Sequence, residues 1–210
     1  MPSERFFKLP DEKRNKIHNA AMHEFSTMPM EHISINRIVQ EAGISRGSFY
    51  TYFEDKQDVL RYLMQESHAR ENAYIRQCLI DTKGDIWKTS DLSLQYALNA
   101  LRERNIFDLS KNVALRDGFN PLNEIRRMQA EAKPCEEDPL GSLAAFFWEH
   151  ADKRRLNIPD LETMQALVFQ CRVTVMTTVT KILLLPEQKE KALRLYHNTI
   201  KILQEGVLKK

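Results

Sequence analysis

An all-helical fold is predicted for this 210-residue chain. Three observations predict it. Apolar residues recur at three- and four-residue spacing along the whole length, and no segment alternates at the two-residue period of a strand. Gly43, Gly84, Pro121, Pro159 and Pro186 fall at the ends of these apolar stripes, where helices stop and start. The stripes divide into an N-terminal helix-turn-helix head, residues 1–56, and a larger helical region, residues 57–210.

The head is the most specific part. Ile17, Ala21 and Phe25 share one face of a first helix. Pro29 follows it; proline supplies no left-handed cap and biases Met28 toward an extended conformation, so this helix has to end without glycine. Ser34 then caps a second helix whose stripe is Ile35, Ile38 and Val39. Ala42 is small enough for close packing, and Gly43 can take the left-handed conformation that ends the helix. Ser45 caps a third helix, which buries Phe49 and Phe53 and leaves Arg46, Ser48, Thr51 and Tyr52 on other faces. Asp55 and Asp58 stand in capping-box spacing before the next helix.

That next helix is expected from about Asp55 to near Asp81, with Gly84 breaking it. Leu94, Ala97, Leu98 and Leu101 mark another, ending near Asn105. Short helices are expected at 109–116 and 121–132, a loop at 133–139, and a helix at 140–153 carrying Phe146, Phe147 and Trp148. Pro159-Asp160 opens a long helix to about Leu185, and Pro186 starts the last, to near Gly206. The long helix is apolar nearly all round, which predicts burial on more than one side. Its seam includes Met164, Val168, Cys171 and Val175; the last helix has Tyr196, Ile200 and Leu203. Two such helices can pair with the same two of a second copy in a four-helix dimer interface, or a monomer core can cover both faces.

Composition bounds the partners. With 42% hydrophobic and 29% charged residues the chain can bury a core and stay in water. The longest suspicious apolar stretch, Ile182 to Leu185, is stopped by Pro186, so no membrane span is expected; the N-terminus is charged and mixed, unlike a signal peptide. Cys78, Cys135 and Cys171 read as free thiols of a reducing cytoplasm. The net charge is only +2, so DNA binding has to rest on local cations such as Arg5, Lys8, Lys13, Arg14, Lys16, Arg37, Arg46 and Lys56. No phosphate-cradling loop, nucleophile elbow or zinc-protease motif is present. His18 and His23 stand five apart, about 140° around a helix, a poor chelating pair. No enzyme, cofactor or metal site is expected.

The ordered set Ser34-Ile35, Ile38, Ala42 to Tyr50, Tyr52-Phe53, Lys56 and Leu60 resembles the N-terminal signature of the TetR family of bacterial one-component repressors. Pro29, where a glycine is usual, and Val39, where alanine is usual, depart from it. The resemblance implies a dimeric regulator. Ser34, Arg37, Ser45, Arg46, Gly47, Ser48, Tyr50, Thr51, Tyr52 and Lys56 would meet an operator of two-fold symmetry in double-stranded DNA. Ser45, Arg46, Ser48 and Thr51 would face the groove; Tyr50, Tyr52 and Lys56 would grip phosphates. It also implies an effector pocket in the larger region, for which Tyr96, Phe107, Phe119, Phe147, Phe169 and Arg172 are candidates beside the plainer reading of core packing, with Glu149 or Asp152 as an ion-pair partner for Arg172. The function expected is a repressor released by a hydrophobic or amphipathic small molecule. The alternative is a DNA-binding protein controlled by a protein partner, or acting in chromosome organisation without such a switch.

Overall fold

The stripes close around two hydrophobic cores. One is built from residues up to Arg70, the head; the other from Glu71–Asn99 and the described residues from 139 on, the body. The computed structural model describes residues 2–101, 139–154 and 156–207. Phe107, Phe119, Cys135, the helices expected at 109–116 and 121–132, and all but the last residue of the 133–139 loop lie outside the described residues.

In the head, α1 (Glu4–Phe7), α2 (Asp11–Thr27), α3 (Ile35–Ala42), α4 (Arg46–Tyr52) and the first half of α5 (Lys56–Asp81) pack together. α1 was not anticipated, because four residues are too few to show a period. It is held by Phe6, fully buried with its ring 4.9 Å from Phe53 and 5.0 Å from Tyr62. α2 buries Ile17, Ala20, Ala21 and Phe25 on one face. It ends as Pro29 demands: Met28 is extended (φ −121°, ψ 139°), and a short 3-10 turn, Met30–His32, carries the chain to α3. Phe49 and Phe53 are buried in the same core, where truncating a ring to alanine costs about 3–5 kcal/mol. Asp58 accepts from the Glu54 N–H (3.2 Å), and its own N–H donates to Asp55 Oδ1 (2.8 Å), a reciprocal cap one residue off the expected register.

In the body, the second half of α5 is joined by α6 (Ile86–Ala100), α7 (Pro139–His150), α8 (Leu161–Leu184) and α9 (Lys189–Val207). Asp85 caps α6 by accepting from Trp87 and Lys88 N–H, each 3.0 Å, and Asp160 caps α8 by accepting from Thr163 N–H at 2.8 Å. Leu79, Ile86, Leu143, Phe147 and Met164 are buried at the centre. Thr174 and Thr178 are buried too, and their hydroxyls donate to carbonyls four residues back, each 2.8 Å. Tyr196, almost fully buried, donates to Asp91 Oδ1 at 2.9 Å.

One expectation needs correction. The residues assigned to a partner copy are covered by the chain itself: Met164, Val168, Cys171, Val175, Tyr196 and Ile200 are buried in the body core, and Leu203 packs against it. Periodicity marks an apolar face without saying which neighbour covers it. The apolar residues left outside on α8, α9 and the turn between them are Leu161, Leu185, Leu195 and Ile202, the last 69% exposed. α8 is also long and apolar enough to cross a membrane by length and composition, although no unbroken apolar run in it has that length. Its many Leu, Val, Ile and Met residues outweigh the interspersed Thr, and 44% of the window is buried within the protein.

Gly84 joins two parts of the body. It has φ +83°, its carbonyl accepts from Asp152 N–H at 2.9 Å, and a Cβ there would lie 2.4 Å from that nitrogen and 2.6 Å from the His150 carbonyl oxygen. Gly84→Ala therefore combines left-handed strain with a backbone clash and should destabilise the body by about 2–4 kcal/mol, read as a lowered midpoint in chemical denaturation. An unchanged midpoint would refute the close approach.

Candidate nucleic-acid interface

The interface is built on the α3–α4 corner. Ser34 caps α3, its Oγ accepting from Arg37 N–H at 3.4 Å. α3 ends at Gly43, which takes φ 66°, ψ 35°; Gly43 N–H donates to Gln40 O (3.3 Å) and Ile44 N–H to Val39 O (3.0 Å). That paired bonding is the Schellman closure, and it needs a left-handed residue at Gly43. Ser45 restarts the chain, its Oγ accepting from Ser48 N–H at 3.0 Å. α4 turns Phe49 and Tyr52 inward, so Ser45, Arg46, Gly47, Tyr50 and Thr51 are exposed together, with Ser48 half-buried. The far end of α4 is closed by the N-terminus of the chain: Ser3 N–H donates to the Tyr52 carbonyl (2.8 Å) and Ser3 Oγ to the Thr51 carbonyl (2.7 Å).

Arg46 does not hang free. Its Nη1 donates to Asn36 Oδ1 at 3.1 Å, its Nη2 reaches Tyr50 Oη at 3.4 Å, and its guanidinium lies 5.7 Å from the Tyr50 ring centre. Thr51 spends its hydroxyl proton on the Gly47 carbonyl (3.0 Å) and keeps acceptor capacity outward.

Three residues expected at DNA make contacts within the head. Tyr52 buries its ring against Phe6, 6.1 Å between centres, because α4 is short and its inner face is fully occupied. Lys56 donates to the Met30 carbonyl at 2.8 Å, tying α5 to the turn after α2. Arg37 is bound to Glu24: Nε lies 2.8 Å from Oε2 and Nη2 2.6 Å from Oε1, while Nη2 also donates to the His32 carbonyl at 2.9 Å. Glu24 is buried and accepts in addition from Ser34 N–H at 2.7 Å. Burial pushes its carboxyl pKa up; the Arg37 fork and the Ser34 amide outweigh that and hold it below the ordinary carboxylate range.

Glu24, Asn36 and Ser3 were missed by sequence reasoning. Glu24 had a signal, an acid on the buried stripe of Ala20, Ala21 and Phe25, which requires a partner. Asn36 and Ser3 had none, since their contacts join residues 10 and 48 positions apart.

The effector candidates lie in the body. Tyr96 stacks on Tyr74, ring centres 4.4 Å apart. Phe147 is buried in the core and Phe169 half-buried. Arg172 meets Asn72 and Glu71 of α5, the latter at 3.4 Å, rather than Glu149 or Asp152. Burial pushes the Cys171 thiol up to about 11, which leaves it an unreactive core side chain. Among the described residues no three His, Cys, Asp or Glu side chains are grouped to hold a metal.

Comparisons with known proteins agree with this corner. A sequence profile described as "Bacterial regulatory proteins, tetR family" matches residues 17–63. An HTH-type transcriptional regulator of Bacillus subtilis, YdgC, is 25% identical over 199 residues, covering 95% of this chain and 94% of that one. An HTH-type transcriptional regulator of Staphylococcus aureus is 33% identical over 87 residues, 41% of this chain and 46% of its own length, so the match spans about half of that relative. Among solved structures, SmeT, the repressor of the Stenotrophomonas maltophilia multidrug efflux pump SmeDEF, has the same fold at 13% identity, with a TM-score of 0.64, 95% of this chain and 94% of that one covered.

The Glu24 site gives the head a pH dependence. A carboxylate whose pKa is depressed in the fold adds stability above its unfolded pKa and loses it as pH falls through the folded value. Denaturation midpoints of the head, followed by circular dichroism, should hold at neutral pH and drop as pH falls through and below the ordinary carboxylate range. Glu24→Gln should be less stable at neutral pH and flatter across the acid range; an identical acid profile for both proteins would remove Glu24 from the account.

Proposed function

We propose that the chain is a member of the TetR family of bacterial regulatory proteins, a cytoplasmic, homodimeric repressor that reads a two-fold symmetric operator and is released by a hydrophobic or amphipathic small molecule. The reading surface of α4 carries this conclusion: Arg46, Ser48, Tyr50 and Thr51 stand on one short helix, fixed at its start by Gly43 and Ser45 and at its end by Ser3. Four polar side chains on a rigid helix suit base edges of the major groove, which is wide enough for one helix.

Two copies are needed to read a two-fold operator, with recognition helices about 34–36 Å apart. The outward residues Leu195 and Ile202, seven apart on α9, with Leu161 and Leu185 at the ends of α8, supply the apolar surface for that pairing. The proposed boundary puts the DNA-binding part in residues 1–56 and the regulatory part in 57–210. An effector among the body aromatics, with Tyr96, Phe147, Phe169 and Arg172 as lining candidates, would act through α5, the helix common to head and body. By linkage, an effector that weakens operator binding must itself be weakened by operator to the same degree.

Two measurements test the reading. Arg46→Ala should relax sequence preference and cost about 1–3 kcal/mol on the operator selected by the wild type, with little loss on random DNA; equal losses on both sink its base-reading role. Ile202→Asp should sediment as a monomer and lose operator affinity with the head still folded, since an unpaired charge at an apolar interface is costly. A wild type that sediments as a monomer at micromolar concentration would overturn the dimer.

A further inference from the structure

We infer that Asn36, on α3, is a positioning residue for base reading: it holds the Arg46 guanidinium in its reading pose, so that specificity is set by a two-residue unit spanning both helices of the corner. The inference rests on the DNA-reading role proposed above and names a determinant within it.

Geometry carries the argument. Arg46 is the first residue of α4 and Asn36 the second of α3; both are exposed, and neither is needed to fill the core. Yet their side chains meet across the corner at 3.1 Å. A guanidinium has five N–H donors and no acceptor, so the Asn36 carboxamide must present its oxygen to Arg46, and its NH2 points elsewhere. The second arm of the guanidinium rests against Tyr50, Oη at 3.4 Å and ring centre at 5.7 Å. Asn36 on one side and Tyr50 on the other thus confine a long side chain that would otherwise sample many rotamers over open solvent. Each contact uses one proton of one Nη, so Arg46 retains donors for a base edge. Arg46 engages no carboxylate among the described residues, so its full charge stays available. An arginine placed before binding loses less freedom on meeting its base, and that gain applies at the base pair Arg46 reads and nowhere else.

The lock makes a signature that a general loss of fold cannot imitate. A randomised duplex library is selected with full-length wild type, Asn36→Ala, Arg46→Ala, the double variant and Asn36→Asp, with circular dichroism confirming the helical content of each. Asn36→Ala should lose preference at the same base pair as Arg46→Ala, on the order of fivefold, the net worth of one exposed hydrogen bond. The double variant should be no worse than Arg46→Ala alone, because the two residues act as one. Asn36→Asp keeps the acceptor, so it should retain the base preference while binding all sequences more weakly, its added negative charge facing phosphates. Relaxation at a different base pair, or additive losses in the double variant, would overturn the lock and make Asn36 an independent reader. Unchanged preference in Asn36→Ala also overturns it, while leaving the DNA-reading proposal standing. A wild type that enriches no sequence overturns both.

Discussion

The head depends on one buried carboxylate. Glu24 sits on the inner face of α2, where an unpaired charge would cost several kcal/mol. Both of its oxygens are engaged, by the Arg37 fork and the Ser34 amide, so the acid that would have disrupted the core instead pins the start of α3 to the end of α2. The same arginine reaches the His32 carbonyl, and Lys56 reaches the Met30 carbonyl, so the turn after Pro29 is held from two directions. His23 and Glu41, 2.9 Å apart on the surface, add a weaker tie between α2 and α3. The orientation of α4 follows from these ties together with the corner at Gly43 and Ser45, the Ser3 bonds at its far end and the burial of Phe49 and Tyr52.

This arrangement sorts the cations of a chain with little net charge. Arg37 and Lys56 are occupied in holding the corner together, and Arg46 is the cation that the corner presents. Under the proposed reading, a head that is formally neutral or slightly acidic would gain its sequence preference from one exposed guanidinium held in place, without a broad basic patch. Losing Arg37 would unpair the buried Glu24, whereas Arg46 is bound to no carboxylate among the described residues.

The body solves a different problem. α8 has too many apolar residues for a single buried stripe, and the fold buries one set, Met164 to Leu183, against α5, α6, α7 and α9. Thr174 and Thr178 enter that core without leaving unmet hydroxyls, because each donates to its own helix. Leu161, Leu185, Leu195 and Ile202, at the helix ends and on α9, stay outside.

Helices, caps and the left-handed turn were legible in the chain, because each depends on residues within four positions: Ser34, Gly43, Ser45, Asp160 and the apolar stripes all act locally. The family signature was legible for the same reason. Tertiary structure alone decided what those stripes meet. It turned Tyr52 inward, gave Arg37 to Glu24 and Arg172 to Glu71, placed Ser3 on the end of α4 and Asn36 under Arg46, and covered the presumed dimer seam with the chain's own helices. The physical reason is range. Periodicity and capping are set by the geometry of one helix, whereas the partner of a charge or an apolar face is set by which distant residue the fold brings within a few ångströms.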